Sequence, residues 1–220
     1  MAGKRIGLIV PSSNMVMEEE LWRSMPSNFN ICTTRLKLED VTTKALLKMI
    51  EDLSMCSQLL KDCEVDIIVF GCTSGSFVGG KDHSEMIQKR IEEASGTEAI
   101  TTSQAVLECL RFKKIKRLSV ITPYVEDVNL KEREFLKSHG FEVLNIHGFG
   151  IIENTEIGRL SPGFVAKEAL KYSNPEADGI FLSCTNLKTF EILEILESKV
   201  KKPVVSSNSA TLWCLRELEV

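Results

Sequence analysis

Two cysteines stand at positions where a thiol could do chemistry. Cys72 closes the run Asp66-Ile67-Ile68-Val69-Phe70-Gly71-Cys72-Thr73, and Cys184 closes Asp178-Gly179-Ile180-Phe181-Leu182-Ser183-Cys184-Thr185, 112 positions further on. Each follows a short apolar run and precedes Thr, where a strand would hand the chain to a helix. A thiol at a helix N-terminus faces N–H dipoles that favour its thiolate, which lowers its pKa and makes it a base or a nucleophile. Both thiols are expected to be activated in this way. A single cysteine in an apolar run reads as a small buried hydrophobe, but two at equivalent places of a repeat form a pair. Facing each other, they could act as opposed acid and base on one carbon, or as nucleophile and proton donor on adjacent carbons.

The repeat is wider than the cysteines. The same offset carries Lys4–Pro11 onto Lys116–Pro123 and Phe29 onto Phe141, with no gap between them. Ile100-Thr101-Thr102-Ser103-Gln104-Ala105 resembles Val205-Ser206-Ser207-Asn208-Ser209-Ala210 at an offset seven residues shorter, which puts the indel in the preceding helix. Chance likeness among strands would scatter over many registers, so the offset argues for duplication. β-Branched runs at 5–10, 29–35, 66–71, 98–101, 117–122, 141–146, 178–183 and 203–206 alternate with helical patterns near 15–25, 43–62, 83–95, 103–112, 129–139, 162–172, 187–199 and 208–217. Such alternation predicts an α/β fold of two pseudo-symmetric lobes. Each is a four-stranded parallel sheet flanked by helices, with the active site in the cleft between them. The division falls near residue 112: a first lobe, 1–112, contributes Cys72, and a second, 113–220, contributes Cys184. The C-terminal helix, 208–220, is expected to pack on the first lobe, and the helix before residue 112 to pack across the lobes.

In open parallel sheets ligands bind beyond the carboxyl ends of the strands, where helix N-termini also point. The polar residues gather there: Pro11-Ser12-Ser13-Asn14, Cys72-Thr73-Ser74-Gly75-Ser76, Pro123-Tyr124, Cys184-Thr185-Asn186 and Ser206-Ser207-Asn208. Hydroxyls, amides and backbone N–H groups with few fixed charges suit a small carboxylate held by neutral donors. The same residue types also cap helices, and the two roles are compatible. Other motifs fall away. Gly75–Asp82 nearly spells a phosphate loop, but Asp82 replaces the hydroxyl that would hold magnesium. His83, His139 and His147 lack zinc-site spacing, so no metal is expected. His83 could form a dyad with Cys72, although the start of an exposed helix is its simpler place. Glu18, Glu19 and Glu20 read as the acidic first turn of a helix.

Composition sets the remaining bounds. The chain has 220 residues, 43% hydrophobic and 26% charged, and a formal charge of −4 that leaves no footprint for nucleic acid. After Lys4 and Arg5 the apolar run Ile6–Val10 ends at Pro11, too short for a signal segment or a membrane span. No membrane partner is expected, and the location read from the sequence is cytoplasmic. Seven cysteines, an odd number in apolar patterns, read mostly as reduced core residues.

Six segments in order carry a family resemblance: Pro11–Asn14, Cys72–Ser76, Thr122-Pro123-Tyr124, Ile157–Pro162, Ser183–Leu187 and Ser206–Trp213. Over nearly the whole chain, from Ile6 to Trp213, it resembles the aspartate/glutamate racemase superfamily, within it the maleate cis-trans isomerase and arylmalonate decarboxylase branch, and most of all the maleate isomerases. The resemblance implies a cofactor-independent isomerase acting on a small unsaturated dicarboxylate. Cys72 matches the nucleophile that adds to the double bond, and Cys184 the donor that protonates the neighbouring carbon. Asn14, Thr73, Ser74, Tyr124, Asn154, Thr185 and Asn186 match residues that hold the carboxylates, and a homo-oligomer is implied. The arylmalonate decarboxylases keep only the second cysteine. One departure is Lys188, where the family motif has Arg. Asn154 lies over Thr42 at the 112 offset, so the lobes are not equivalent in function, which favours a two-carbon mechanism over strict racemisation. The alternatives are an aspartate, glutamate or hydantoin-type racemase or an arylmalonate decarboxylase-like enzyme in the same cleft, and a non-catalytic small-acid binding protein.

Overall fold

Short apolar runs that are buried on both faces make parallel strands, because helices must then cover each side of the sheet. In the computed structural model, which describes residues 4–217, the innermost strands Ile67–Phe70 and Gly179–Leu182 are buried throughout. The first half runs β1 (Lys4–Pro11), α1 (Met17–Ser24), β2 (Phe29–Leu36), α2 (Thr43–Met49), a 3-10 turn (Ile50–Asp52), α3 (Leu53–Lys61), β3 (Ile67–Phe70), α4 (Thr73–Phe77), α5 (His83–Ser95), β4 (Ala99–Thr101) and α6 (Thr102–Phe112). The second runs β5 (Arg117–Thr122), α7 (Glu126–Ser138), β6 (Glu142–Gly148), α8 (Asn154–Arg159), α9 (Pro162–Tyr172), β7 (Gly179–Leu182), a 3-10 turn (Phe190–Ile192), α10 (Leu193–Val200), β8 (Val204–Ser206) and α11 (Ser207–Glu217). Residues 1–3 of the expected first lobe and 218–220 of the expected C-terminal helix lie outside the described residues.

Two four-stranded, all-parallel sheets result, ordered β2-β1-β3-β4 and β6-β5-β7-β8. Their registers repeat the sequence offset. Arg5 pairs with Asn30 and Arg117 with Glu142, Ile6 with Ile67 and Leu118 with Gly179. At the fourth strand Ile68 pairs with Ala99 and Ile180 with Val204, which is the shorter offset. Most of the missing residues are accounted for by α10, which has 8 residues where α5 has 13. Both sheets start with the same device: Asp66 accepts from the Arg5 backbone at 2.7 Å, and Asp178 from the Arg117 backbone at 2.8 Å. The symmetry breaks at a bulge between Leu118 and Ser119.

Some elements differ from expectation. The helix expected over 43–62 is split by the 3-10 turn, although Leu46, Met49, Leu53, Cys56 and Leu60 still share one buried face and Leu59 is exposed. α7 begins three residues early, at Glu126, and the helix expected from 187 starts only at Leu193. The short helices α4 and α8 follow from caps and turns that periodicity does not register.

Packing and hydrogen bonds join the lobes, among them those of a carboxylate in α1. α11 lies on α6 and α1, and its Leu212 and Leu215 complete the apolar layer of Ile6, Leu8, Met17, Leu21, Ile67 and Val69 over the first sheet. α6 reaches the other way, to β8. Glu20 in α1 accepts from the backbone N–H of Thr189 at 2.6 Å and of Phe190 at 3.0 Å, and from the Asn208 amide at 2.7 Å. Glu18, Glu19 and Glu20 do form an acidic first turn, but Glu20 serves the opposite lobe. Among the described residues no helix is long and apolar enough to cross a membrane.

Candidate active site

The loops after β3 and β7 meet where the two sheets point their carboxyl ends at each other. Cys72 caps α4, and its sulfur accepts the Gly75 N–H at 3.3 Å with the Ser74 hydroxyl 3.8 Å away. A Cβ at Gly75 would crowd the thiol, standing 3.0 Å from that sulfur and 2.9 Å from the Met49 methyl. Cys184 follows β7 with φ 143°, a backbone conformation that side chains rarely adopt, and its sulfur accepts the Asn186 N–H at 3.3 Å. Strain of this kind is kept where the surroundings over-determine it, commonly at a functional site.

Hydrogen bonds tie the two loops across the lobes. Thr73 donates to Ser207 Oγ at 2.8 Å, and Ser207 Oγ accepts the Cys184 N–H at 3.1 Å. Thr185 donates to the Gly71 carbonyl at 3.1 Å and accepts from the Asn14 amide at 3.0 Å. Asn14 also caps α1 through the N–H groups of Val16 and Met17. Asn186 accepts from the Met15 N–H and donates to the Asn154 carbonyl, while Asn154 donates to Ser13 Oγ. The loops entering from opposite lobes are bridged beside them, Asp40 against Glu153, with the Asn154 N–H on the Glu39 carbonyl at 2.9 Å. The nine residues singled out in the sequence are thus brought together, and all nine are buried. Asn14 and Asn186 are largely occupied with bracing the lobes.

Burial decides the state of the thiols. The expectation that helix dipoles lower both pKa values is not met: desolvation pushes Cys72 up to about 11, against the Gly75 N–H and the Ser74 hydroxyl, which pull it down. Cys184 is pushed up to about 12, again chiefly by burial, with the Asn186 N–H and Tyr124 hydroxyl opposing and the charges of Cys72 and Glu132 adding. α4 is a five-residue helix, and no helix begins at Cys184. The dipoles available are therefore a few N–H groups rather than a macrodipole. Burial holds the proton on both thiols, and a charge on Cys72 would hold the proton on Cys184 more firmly still.

Tyr124 lies near both sulfurs, whose charges raise its pKa further after burial has done so. Its hydroxyl reaches toward Cys184 without completing a hydrogen bond, and packing against the Phe77 edge, with ring centres 6.4 Å apart, holds the ring from the other lobe. The proposed Cys72–His83 dyad does not form. His83 is buried, not exposed, its ring fills the space beside Gly79, and burial lowers its pKa. Among the described residues no cluster of three or more His, Cys, Asp or Glu is arranged to hold a metal. Glu132 was missed by the sequence analysis. It lies on the apolar stripe of α7 with Val128, Phe135 and Leu136, where a carboxylate has no ordinary reason to be.

The family model for arylmalonate decarboxylase matches residues 6–219. The chain belongs to the arylmalonate decarboxylase family. Among its relatives, the maleate isomerase of Nocardia farcinica is 27% identical over 231 residues, covering 100% of this chain and 92% of that protein. The arylmalonate decarboxylase of Bordetella bronchiseptica is 27% identical over 210 residues, covering 94% and 87%. Among solved structures, a cysteine-to-serine mutant of the Nocardia farcinica maleate cis-trans isomerase with a covalently bound succinylcysteine intermediate superposes with a TM-score of 0.93 at 25% identity, covering 99% and 93%. Within the arylmalonate decarboxylase family, then, this chain is similar to members of both kinds.

Proposed function

We propose that the protein is a cofactor-independent cis-trans isomerase of a small unsaturated dicarboxylate, of the maleate-to-fumarate type. The observation that carries this reading is the presence of both cysteines, each buried just past the equivalent strand of its lobe, in a chain similar to a maleate isomerase over its whole length. A two-carbon mechanism needs one sulfur that ionises and one that keeps its proton, and the surroundings of the two differ: Cys72 accepts the Gly75 N–H at the start of α4, whereas Cys184 lies in a strained turn with no helix after it. The Cys72 thiolate forms a C–S bond to one alkene carbon, and the π electrons move into the carboxylate on the other side as an enediolate. Cys184 donates its proton to the adjacent carbon, leaving a covalent succinyl adduct whose central bond is single and rotates. The Cys184 thiolate then takes a proton back, the C–S bond breaks with its electron pair returning to Cys72, and the trans alkene leaves. No electrons or protons are consumed. Neutral donors that strengthen their bonds as charge appears on the carboxylate supply the main stabilisation, in the manner of an oxyanion hole. The backbone N–H groups of Thr73 and Thr185, whose hydroxyls are engaged with Ser207 and Gly71, are proposed for that task with the side chains of Ser74, Tyr124 and Asn154, while Asn14 and Asn186 fix the loops that carry them.

In this reading residues 1–112 supply the nucleophile and 113–220 the proton donor. The presence of Cys72 speaks against a decarboxylase that uses the second cysteine alone. The deciding experiment is incubation of maleate, aspartate, glutamate and an arylmalonate with the protein in deuterium oxide, without added metal or cofactor, followed by NMR. Maleate is expected to give fumarate, and Cys184→Ser to accumulate Cys72 carrying the mass of one maleate. Deuterium exchange at the α-carbon of an amino acid, without turnover of maleate, would make it a racemase instead.

A further inference from the structure

Glu132 is buried on α7 with both carboxylate oxygens lacking a hydrogen-bond partner, and the neighbouring Ser183 hydroxyl, also buried, lacks one too. A carboxyl with no partner in an apolar layer destabilises the fold unless it is uncharged. The groups that face it are those of the site. Ser183, the residue before Cys184, faces Glu132 with its hydroxyl without completing a hydrogen bond, and the charge of Glu132 acts on both Tyr124 and Cys184. Of the elements packed on α7, α4 brings no titratable side chain, Glu142 of β6 is exposed, and His147 of β6 is turned away, stacked on Tyr172 and paired with Glu168. Among the described residues no cation forms an ion pair with Glu132.

We propose that Glu132 is a positioning residue of this site, a carboxyl that must carry its proton for an anionic substrate to bind and that, once ionised, opposes both the bound carboxylate and the Cys184 thiolate. The proposal rests on the isomerase reading only for the identity of the anion. A new negative charge in a dry site adjoining the substrate raises the free energy of a bound carboxylate directly. Burial brings Glu132 to about 8, so its charge appears across the mildly alkaline range, where a dicarboxylate is already fully ionised. Affinity therefore falls in that range through KM, while the neutral carboxyl below it leaves binding unhindered.

The test uses Cys72→Ser as the background, so that substrate binds without adding, and compares it with Cys72→Ser/Glu132→Gln; Glu132→Met replaces the glutamine variant if that folds poorly by circular dichroism. The charge effect is decided without ligand. Iodoacetamide labelling of Cys184 is expected to run at equal rates in the two proteins at pH 6.5 and about fivefold faster in the glutamine variant at pH 9.5. A constant ratio at every pH overturns the proposal, because a purely structural role would move all points together. Maleate binding by calorimetry then reads the effect on substrate: affinity in the Glu132 protein falls by about fivefold or more between pH 7 and 9.5 and stays flat in the glutamine variant. Parallel pH profiles overturn the substrate half of the proposal. Failure of maleate to bind either protein at any pH overturns the isomerase reading instead, and the labelling result still decides on Glu132.

Discussion

The reactivity of Cys72 separates burial from helix dipole as the dominant influence on the thiol. At pH 7.5, a thiol pushed up to about 11 is ionised in about 3 molecules in ten thousand, whereas one at its ordinary value near 9 is ionised in about 3 in a hundred. Iodoacetamide reacts with the thiolate, so Cys72 should be alkylated about a hundredfold more slowly than a free cysteine peptide at this pH. Closure of the site slows the reagent further, but by a factor that does not change with proton concentration. The slope removes the ambiguity: labelling of Cys72, followed by peptide mass mapping after short exposures, is expected to rise about tenfold per pH unit from 7 to 10 without levelling off. Exposed Cys63 in the same digest shows that reagent was present. A plateau below pH 9 would mean that the Gly75 N–H and the first turn of α4 outweigh desolvation, and the argument from burial would be refuted.

Two further outcomes concern stability. Glu132 binds its proton more tightly folded than unfolded, about 8 against 4.5, so stability is greatest below about pH 4.5 as far as this group is concerned and is lost as pH rises through 8. The limit is on the order of 5 kcal/mol. Glu132→Gln should remove that slope and be the more stable protein at pH 8.5 by urea denaturation, and an unchanged difference between pH 5.5 and 8.5 would count against it. Cys184 holds φ at 143°, so Cys184→Gly should exceed Cys184→Ala in stability by about 1–3 kcal/mol in the same assay, since only the alanine retains the backbone strain; equal midpoints would mean that the turn is not strained.

The duplication was legible because it is a property of backbone pairing. Each sheet register repeats the offset of the residues that form it, and the one shortened unit is visible as a shorter helix. The two cysteines were legible for the same reason, since a strand end in one lobe defines its counterpart in the other. The sign of the thiol pKa shifts was not legible. Spacing along the chain reveals the N–H groups that follow a cysteine, but desolvation depends on what the opposite lobe lays over it, here Tyr124 and the loops that carry Asn14 and Asn154. Glu132 had a signal, an acid inside the stripe of Val128, Phe135 and Leu136. Its meaning depends on Ser183 and Cys184, which arrive from another element. His83 misled in the opposite direction, because its helix lies at the surface while its own ring turns in against Gly79.

A duplicated scaffold starts with two equal thiols, and the proposed reaction needs two unequal ones. The differences that separate them are local and few. Cys72 caps a short helix in an ordinary extended conformation, φ −145°, whereas Cys184 sits in a strained turn with no helix after it. Near Cys184 stands a carboxyl, Glu132, whose charge disfavours its thiolate and which is not among the groups acting on Cys72. Thr42 caps α2, while its counterpart Asn154 reaches Ser13 across the lobes. None of these changes disturbs the pairing of the central strands, where the registers still agree. The sheets therefore keep the two cysteines at equivalent strand ends, and the loops around them are free to differ, as the proposed division between nucleophile and proton donor requires.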